Sequence, residues 1–298
     1  MTNKRWLLPL ALLGLSACTY WKPPPQGPDR AGPAPTLHPG TPPDVAFPVP
    51  IPDEVVFLDQ GLDAASREAW YHTSQGTRLM ARRFFLGLED VEGGEPFNAP
   101  DTWHRLRFLP RVTSPNNPDA LPVGLVVDLT DEQQAREKVR TLDPTGQTRE
   151  EPYVGFSCAA CHTHRLDAST PDGRDVAMII DGGSGYIDIQ SFNIDLAEAA
   201  HRTLPDVDAE RWERFVTKVA GADCDAPCRA ELEADFRADE QFLQDELELG
   251  HGALRPGFGR LDAVSTITNK IAGPNLGNPD NMKPPLTPTG YPPGARSS

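Results

Sequence analysis

A chain of 298 residues with 38% hydrophobic content has enough apolar side chains for one large core or two small ones. Its net charge of -15 disfavours a nucleic acid or anionic membrane partner, because a phosphate-binding surface needs a basic patch and no Lys/Arg cluster appears. A basic protein partner fits that charge.

The first eighteen residues read as an export signal. Lys4 and Arg5 give a charged start, Trp6 to Leu15 an apolar run too short to span a bilayer, and Leu15-Ser16-Ala17-Cys18 a small-residue cleavage site. Ending on a cysteine, this segment resembles a bacterial lipobox, which implies cleavage before Cys18 and lipidation of its thiol. An ordinary signal peptide that contains Cys18 is the alternative. Thr19 rather than Asp follows, which by the lipoprotein sorting rule makes the periplasmic side of the outer membrane, or the cell surface, the address. Residues 19–53 then hold the tether: twelve prolines between 23 and 52 and almost no apolar periodicity predict an extended, semi-rigid spacer.

From Asp63 to Glu89 the spacing predicts helix, either one or two joined near Gly76, with Trp70, Tyr71, Leu79, Phe84, Phe85 and Leu88 supplying apolar surface. Residues 92–125 read as loop, although Trp103, Leu106, Phe108 and Leu109 must pack. Thr130 with Gln133 is a capping-box start for a polar helix to about Arg140. Val176 to Ile180 reads as a short buried strand that turns at Asp181-Gly182-Gly183. Four helices are expected after it. The first three carry Phe192, Leu196 and Ala199; Trp212, Phe215, Val216 and Val219; and Leu232, Phe236, Leu243 and Leu247, stopping at Gly250. The fourth runs from about Gly259 to Ala272 with Leu261, Val264, Thr268 and Ile271 on one side.

Cys158-Ala159-Ala160-Cys161-His162 is a complete CxxCH. Two thiols at this spacing, on a turn entering a helix, can add to the two vinyl groups of a haem, and the adjacent imidazole then falls under the iron. The expected cofactor is therefore one covalent haem c, with His162 as proximal iron ligand. A zinc site would need a second ligand cluster, and none is evident. Phe156 is expected at the porphyrin edge, with a plain core role as the alternative. His164 reads as a surface residue or a propionate contact. The opposite face of the haem stays open between Met80, Met178, Met282, His72, His104, His201 or His251 and no protein ligand at all. Cys224 and Cys228 remain as a pair; an oxidising compartment favours a local disulfide if the turn brings their Cα atoms within about 7 Å. Two free thiols or a redox-active pair are the other options. Between Asp206 and Glu248 fourteen acidic residues stand against five basic, an acidic helical surface that suits either a basic electron-transfer partner or solvent.

Five stretches appear in order: Trp70-Tyr71-His72-Thr73-Ser74-Gln75-Gly76, Leu121-Pro122-Val123-Gly124, the haem motif, Ile180-Asp181-Gly182-Gly183, and Gly257-Phe258-Gly259-Arg260-Leu261-Asp262-Ala263. This order resembles the dihaem cytochrome c peroxidase-like family that includes the rubber oxygenases, over roughly residues 54–285. The resemblance implies that the helix holding Arg260, Asp262 and Asn269 passes near the haem. Arg260 then meets a propionate or makes a structural Arg–Asp contact. In that family a second CxxCH follows; here none does, and a Pro- and Gly-rich tail comes instead, the expected flexible end at 286–298. The chain thus reads as the N-terminal haem half alone, a shortened dihaem protein or one whose second redox centre lies on another molecule.

The expected fold is mainly α, a cytochrome c-like helical haem domain at 54–285 with long irregular loops and little β-structure. The expected function is that of an exported c-type cytochrome transferring electrons to a redox partner protein, such as a basic cytochrome, and meeting the membrane only through its lipid. A peroxidase or oxygenase acting at an open distal iron face is the alternative.

Overall fold

The computed structural model describes residues 53–59, 61–128, 152–250 and 257–284, with the backbone of two further short strands at 37–39 and 289–290. Cys18 and the rest of the export segment, the helix expected from Thr130, and His251 lie outside the described residues. So do most of the proline-rich tether and of the C-terminal tail.

Strand β1 (Leu37–Pro39), within the expected tether, pairs antiparallel with β2 (Glu54–Leu58), whose Val55, Val56 and Phe57 are all buried. Helix α1 (Ala64–His72) starts where the Asp63 carboxylate accepts the Ser66 amide at 2.7 Å, the usual side-chain cap for an exposed first-turn N–H. One continuous helix to Glu89 does not form. Gly76 sits at φ +85, a turn conformation that costs a glycine little, and β3 (Met80–Ala81) and α2 (Arg82–Gly87) follow it. Helix α3 (Pro100–Arg105) interrupts the expected loop and buries Trp103.

Strands β4 (Leu125–Asp128) and β5 (Tyr153–Phe156) pair antiparallel, with β3 on the other side of β5. One helical turn, α4 (Ala159–His162), leads into β6 (Thr163–Ser169), which pairs antiparallel with β7 (Asp175–Asp181). Strand β7 also pairs parallel with β2, giving a four-stranded sheet in the order β1-β2-β7-β6 beside the three-stranded sheet β3-β5-β4.

Helices α5 (Ile189–Arg202), α6 (Ala209–Ala220) and α7 (Ala226–Gly250) match three of the expected four, and Asp188 and Asp208 cap the first two. The fourth differs. Arg260–Leu261 forms strand β8, paired with β9 (Thr289–Gly290), and Asp262 caps a shorter helix α8 (Ala263–Lys270) by accepting the Ser265 amide at 2.9 Å. The face expected to be buried is partly open: Val264 is 73% exposed and Ile271 53%. Among the described residues no helix is long and apolar enough to cross a membrane.

The mainly α expectation is overturned. Strands account for 19% of the described residues against 46% in helix, which makes this an α/β fold. The missed strands are short. Glu54–Leu58 and Tyr153–Phe156 are apolar runs that periodicity cannot separate from buried helix, and β6 carries Thr, His, Arg and Asp with little alternation.

The main core is aromatic. Phe236 meets Phe215 at 4.6 Å between ring centroids and Phe84 edge-on at 5.4 Å, while Phe192 meets Phe108 at 5.3 Å and Phe156 at 5.6 Å. Phe192 thereby ties the helical layer to the strand that delivers the cysteine motif.

Candidate functional site

Strand β5 ends at Phe156, and the chain closes a single turn: the Ala160 amide donates to the Ser157 carbonyl at 3.2 Å and the His162 amide to the Cys158 carbonyl at 3.1 Å. Residues three and four apart on such a turn share a face. Cys158, Cys161 and His162 therefore look one way and Ala159 and Ala160 the other. Both alanines are buried, while Cys158 is exposed and Cys161 half-buried, with their thiols not joined to each other. The alanine side packs tightly. Ala159 lies with Tyr71 and Val123, and a side chain on Gly124, which sits at φ +100, would run into the Ala160 Cα.

Both ends of the turn are held from outside it. The Ser157 amide donates to the Gly124 carbonyl at 2.9 Å, and the Gly185 amide to the Cys161 carbonyl at 2.6 Å. At the exit, the Thr163 hydroxyl accepts the Trp70 indole N–H at 2.9 Å and donates to Asp181 at 3.3 Å. Asp181, 1% exposed, also accepts from the Tyr71 hydroxyl at 2.7 Å and the Arg67 Nε at 2.8 Å. Burial and the neighbouring Asp181 charge push the Tyr71 phenol well above its ordinary pKa, so it stays a donor. Segments that stand far apart in the sequence, 70–76, 121–124 and 180–183, thus converge on the cysteine turn.

A cavity of about 570 Å3 opens beside β5. Phe156, two residues before Cys158, forms part of its wall with Leu79, Phe242, Leu247 and Leu261. Arg78 and Gln190 bring polar groups into it. Arg78 is 6% exposed, lies 5.5 Å from the Tyr153 ring centre and 3.6 Å from Asp128, and its guanidinium nitrogens have no hydrogen-bond partner. The Gln190 Oε1 is likewise buried and unpartnered. Arg260 is exposed on β8, and its neighbour Leu261 faces the cavity. A second cavity of about 370 Å3 lies on the alanine side of the turn, lined by His104, Ala160, His164, Tyr186 and Phe258 among others.

His162 is half-buried with its Nδ1 enclosed and unpartnered. His164 is similar; its ring meets Tyr186 edge-on at 5.1 Å, and burial lowers its pKa, as it does for His104. The other candidates for the far side of an iron are engaged elsewhere. Met80 is fully buried in β3, and Met282 packs on Gly273. Met178 pairs across β7 with Val56 and Leu166. His72 bonds Arg111 at 3.0 Å and Glu68 at 3.2 Å, and His201 bonds Glu240 at 3.2 Å. Among the described residues no cluster of three His, Cys, Asp or Glu side chains is placed to hold a metal by itself. What the turn offers is two thiols and one imidazole on a shared face.

Cys224 and Cys228 are joined as a disulfide, with Cα atoms 5.4 Å apart. Part of the acidic stretch after Asp206 is paired within the chain, at buried positions for Asp239 and Glu240 and nearer the surface for the others. Asp239 accepts the Ala81 amide at 2.7 Å, Glu240 takes His201, and Asp235, Glu213 and Glu246 pair with Arg83, Arg229 and Lys270. Sequence reasoning did not single out Arg78, Gln190 or Thr163. Arg78 carried a signal in its setting, a lone cation between the Gln75-Gly76 turn and an apolar run.

No family model and no solved structure matches the chain. It is similar to the uncharacterized protein y4iJ of Sinorhizobium fredii, at 29% identity over an alignment of 256 residues that covers 80% of this chain. The matched region spans 40% of that relative's length.

Proposed function

We propose that the chain is an exported c-type cytochrome carrying one covalent haem on Cys158 and Cys161, with His162 as proximal iron ligand, and that it passes electrons to a redox partner protein. The observation that carries this reading is the shared face of those three side chains, Cys158 exposed and the other two half-buried, on a turn clamped from both ends. A haem held there supplies a one-electron redox centre.

The chain's own residues have defined tasks in this reading. The two thiols would hold the ring covalently, and the buried Ala159 and Ala160 keep the turn from rotating away. His162 offers Nε2 when its proton resides on Nδ1, the atom enclosed by protein. Thr163, held by Trp70 and Asp181, stops the turn and sets the direction in which His162 projects. Phe156, two residues before the motif and packed on Phe192, would be the aromatic side chain nearest the ring edge. Glu210, Asp223, Asp245 and Glu248 stay exposed on the helical side and suit a basic partner by electrostatic steering. Lipid on Cys18 would hold the domain at the periplasmic side of the outer membrane or at the cell surface.

The test is expression of the full chain in a periplasm equipped for haem attachment. Wild type should stain for haem after denaturing electrophoresis, and the Cys158→Ser/Cys161→Ser variant should not. His162→Ala should keep the attachment and change the optical spectrum; an unchanged spectrum would refute the ligand assignment. A ferric spectrum indifferent to cyanide supports a carrier, whereas ready cyanide binding would move the reading to peroxide or dioxygen chemistry.

A further inference from the structure

We propose that the cavity beside β5 is a binding site for a small organic carboxylate with an apolar body, held by the Arg78 guanidinium and separate from the cysteine turn. The site does not depend on the haem reading, since none of Cys158, Cys161 and His162 lines this space.

Its charged side is built and fixed. Arg78 is buried, and its Nε, Nη1 and Nη2 have no hydrogen-bond partner among the described residues. Burying such donors is costly unless an acceptor meets them, and a charged acceptor repays most. Asp128 offsets the charge without supplying that bond. Its nearest approach is to Nε, at 3.6 Å; it does not line the cavity, and it accepts from the Ser74 hydroxyl at 3.2 Å. Nη1 and Nη2 are left for an anion inside the cavity, and a planar fork suits a carboxylate better than a point charge would. The segment that carries Arg78 is pinned to β5 on both sides. The Gln75 amide donates to the Phe156 carbonyl at 2.9 Å and the Leu79 amide to that of Val154 at 2.8 Å. Between these bonds the backbones come so close that a Cβ on Gly155 would run into the Thr77 carbonyl oxygen. A guanidinium held in advance loses little freedom when a ligand arrives.

The other walls select the kind of acid. Phe156, Phe242, Leu243 and Leu247 offer an apolar surface, and about 570 Å3 lies within the range of sites that enclose a small organic molecule. Lys270 and Glu246, the other charged groups in the wall, pair with each other at 2.7 Å, so Arg78 is where a carboxylate gains most. Gln190, buried at the start of α5, brings an Oε1 that also has no hydrogen-bond partner. An acid that carries a hydroxyl beside its apolar body gains this acceptor as well.

The experiment is isothermal titration of the full chain with three probes: 4-phenylbutyrate, its neutral counterpart 4-phenylbutan-1-ol, and acetate. Wild type should bind 4-phenylbutyrate saturably and at least about tenfold more tightly than either of the others, because only this probe engages both Arg78 and the apolar wall. Arg78→Gln should weaken it by roughly ten- to a hundredfold, with Arg78→Lys in between. The Arg78→Gln/Asp128→Asn double variant, which leaves no orphaned carboxylate if the single change misfolds, should match Arg78→Gln. Leu247→Trp should abolish binding by filling the cavity while leaving Arg78 in place. The carboxyl 13C signal of the bound probe should titrate at lower pH in wild type than in Arg78→Gln. Equal binding of acid and alcohol, or Arg78 variants that bind the acid as wild type does, would overturn the carboxylate site. A wild type that binds none of the probes would overturn it altogether. Binding should persist in Cys158→Ser/Cys161→Ser; its loss there, with the fold intact by circular dichroism, would overturn the separation from the cysteine turn.

Discussion

In the aromatic core, buried polar groups find their partners within the chain. Arg211, 3% exposed, donates to the Thr203 hydroxyl at 3.1 Å and to the Glu89 and Asp90 carbonyls at 2.6 Å each. Asn117 closes the turn to Leu121 with bonds of 2.9 and 3.0 Å. Around the cysteine turn and its cavity, Arg78, Ser157, His162, His164 and Gln190 instead hold buried polar atoms with no hydrogen-bond partner. Buried polar groups in native proteins are nearly always satisfied, so the two regions differ in how far the polypeptide itself satisfies its buried polar atoms.

The sharpest way to break this contrast is to damage the core and see whether the turn follows. Phe236 is fully buried against Phe84, Trp212 and Phe215. Phe236→Ala should cost about 3–5 kcal/mol, as large-to-small changes in packed aromatic sites do. Denaturant unfolding of the apo chain measures it. A loss below about 1 kcal/mol would mean that the aromatic cluster does not carry the stability assigned to it.

Asp181 offers the opposite perturbation, at the support of the turn. It is a buried carboxylate serving Arg67, Tyr71 and Thr163, and removing one charge of a buried pair typically costs about 3 kcal/mol or more. Because Asn keeps one acceptor oxygen and Arg67 retains some contact with solvent, Asp181→Asn should destabilise somewhat less than Phe236→Ala but act more locally. Amide hydrogen exchange should speed up most at His162, Thr163 and Gly185, with α6 little changed. Uniform acceleration across both regions would erase the distinction between them.

Legibility in the sequence follows the same division. The helices that line the core were readable because they are long enough for a 3.6-residue pattern to show: Trp212, Phe215 and Val216 on α6, and Leu232, Phe236 and Leu243 on α7. Of the sheets only β7 was, anticipated at Val176 to Ile180 and found at Asp175–Asp181. Strands such as Met80–Ala81 and Tyr153–Phe156 are too short for a period, and their pairing depends on partners far along the chain. At the candidate site, Cys158, Cys161 and His162 stood out because a five-residue motif carries its own chemistry. Arg78 and Gln190 carry meaning only through burial and missing partners, which no local pattern encodes. Asp181 could be seen as part of a turn, but not as the acceptor of three distant donors.

The smallest effect expected lies at the rim of the core and is a matter of pH. Glu89 accepts from Arg214 Nε at 2.7 Å and Nη2 at 2.8 Å, with the Gly94 amide at 3.2 Å, and these bonds, Arg214 foremost, hold its carboxyl at about 2 against an ordinary 4.5. A folded-state pKa below the unfolded one stabilises the native chain wherever the carboxylate is ionised in both states. That contribution is complete above about pH 4.5 and disappears as the pH falls toward 2. Arg214→Ala should therefore lower stability by a constant amount at neutral pH, and the two stability curves should converge on acidification between those values. Arg214 is largely exposed and screened by solvent, so the gap should be modest and should narrow further with salt. Parallel curves down to pH 2 would show that Glu89 titrates normally, and that polar satisfaction at the edge of the core is looser than in its interior.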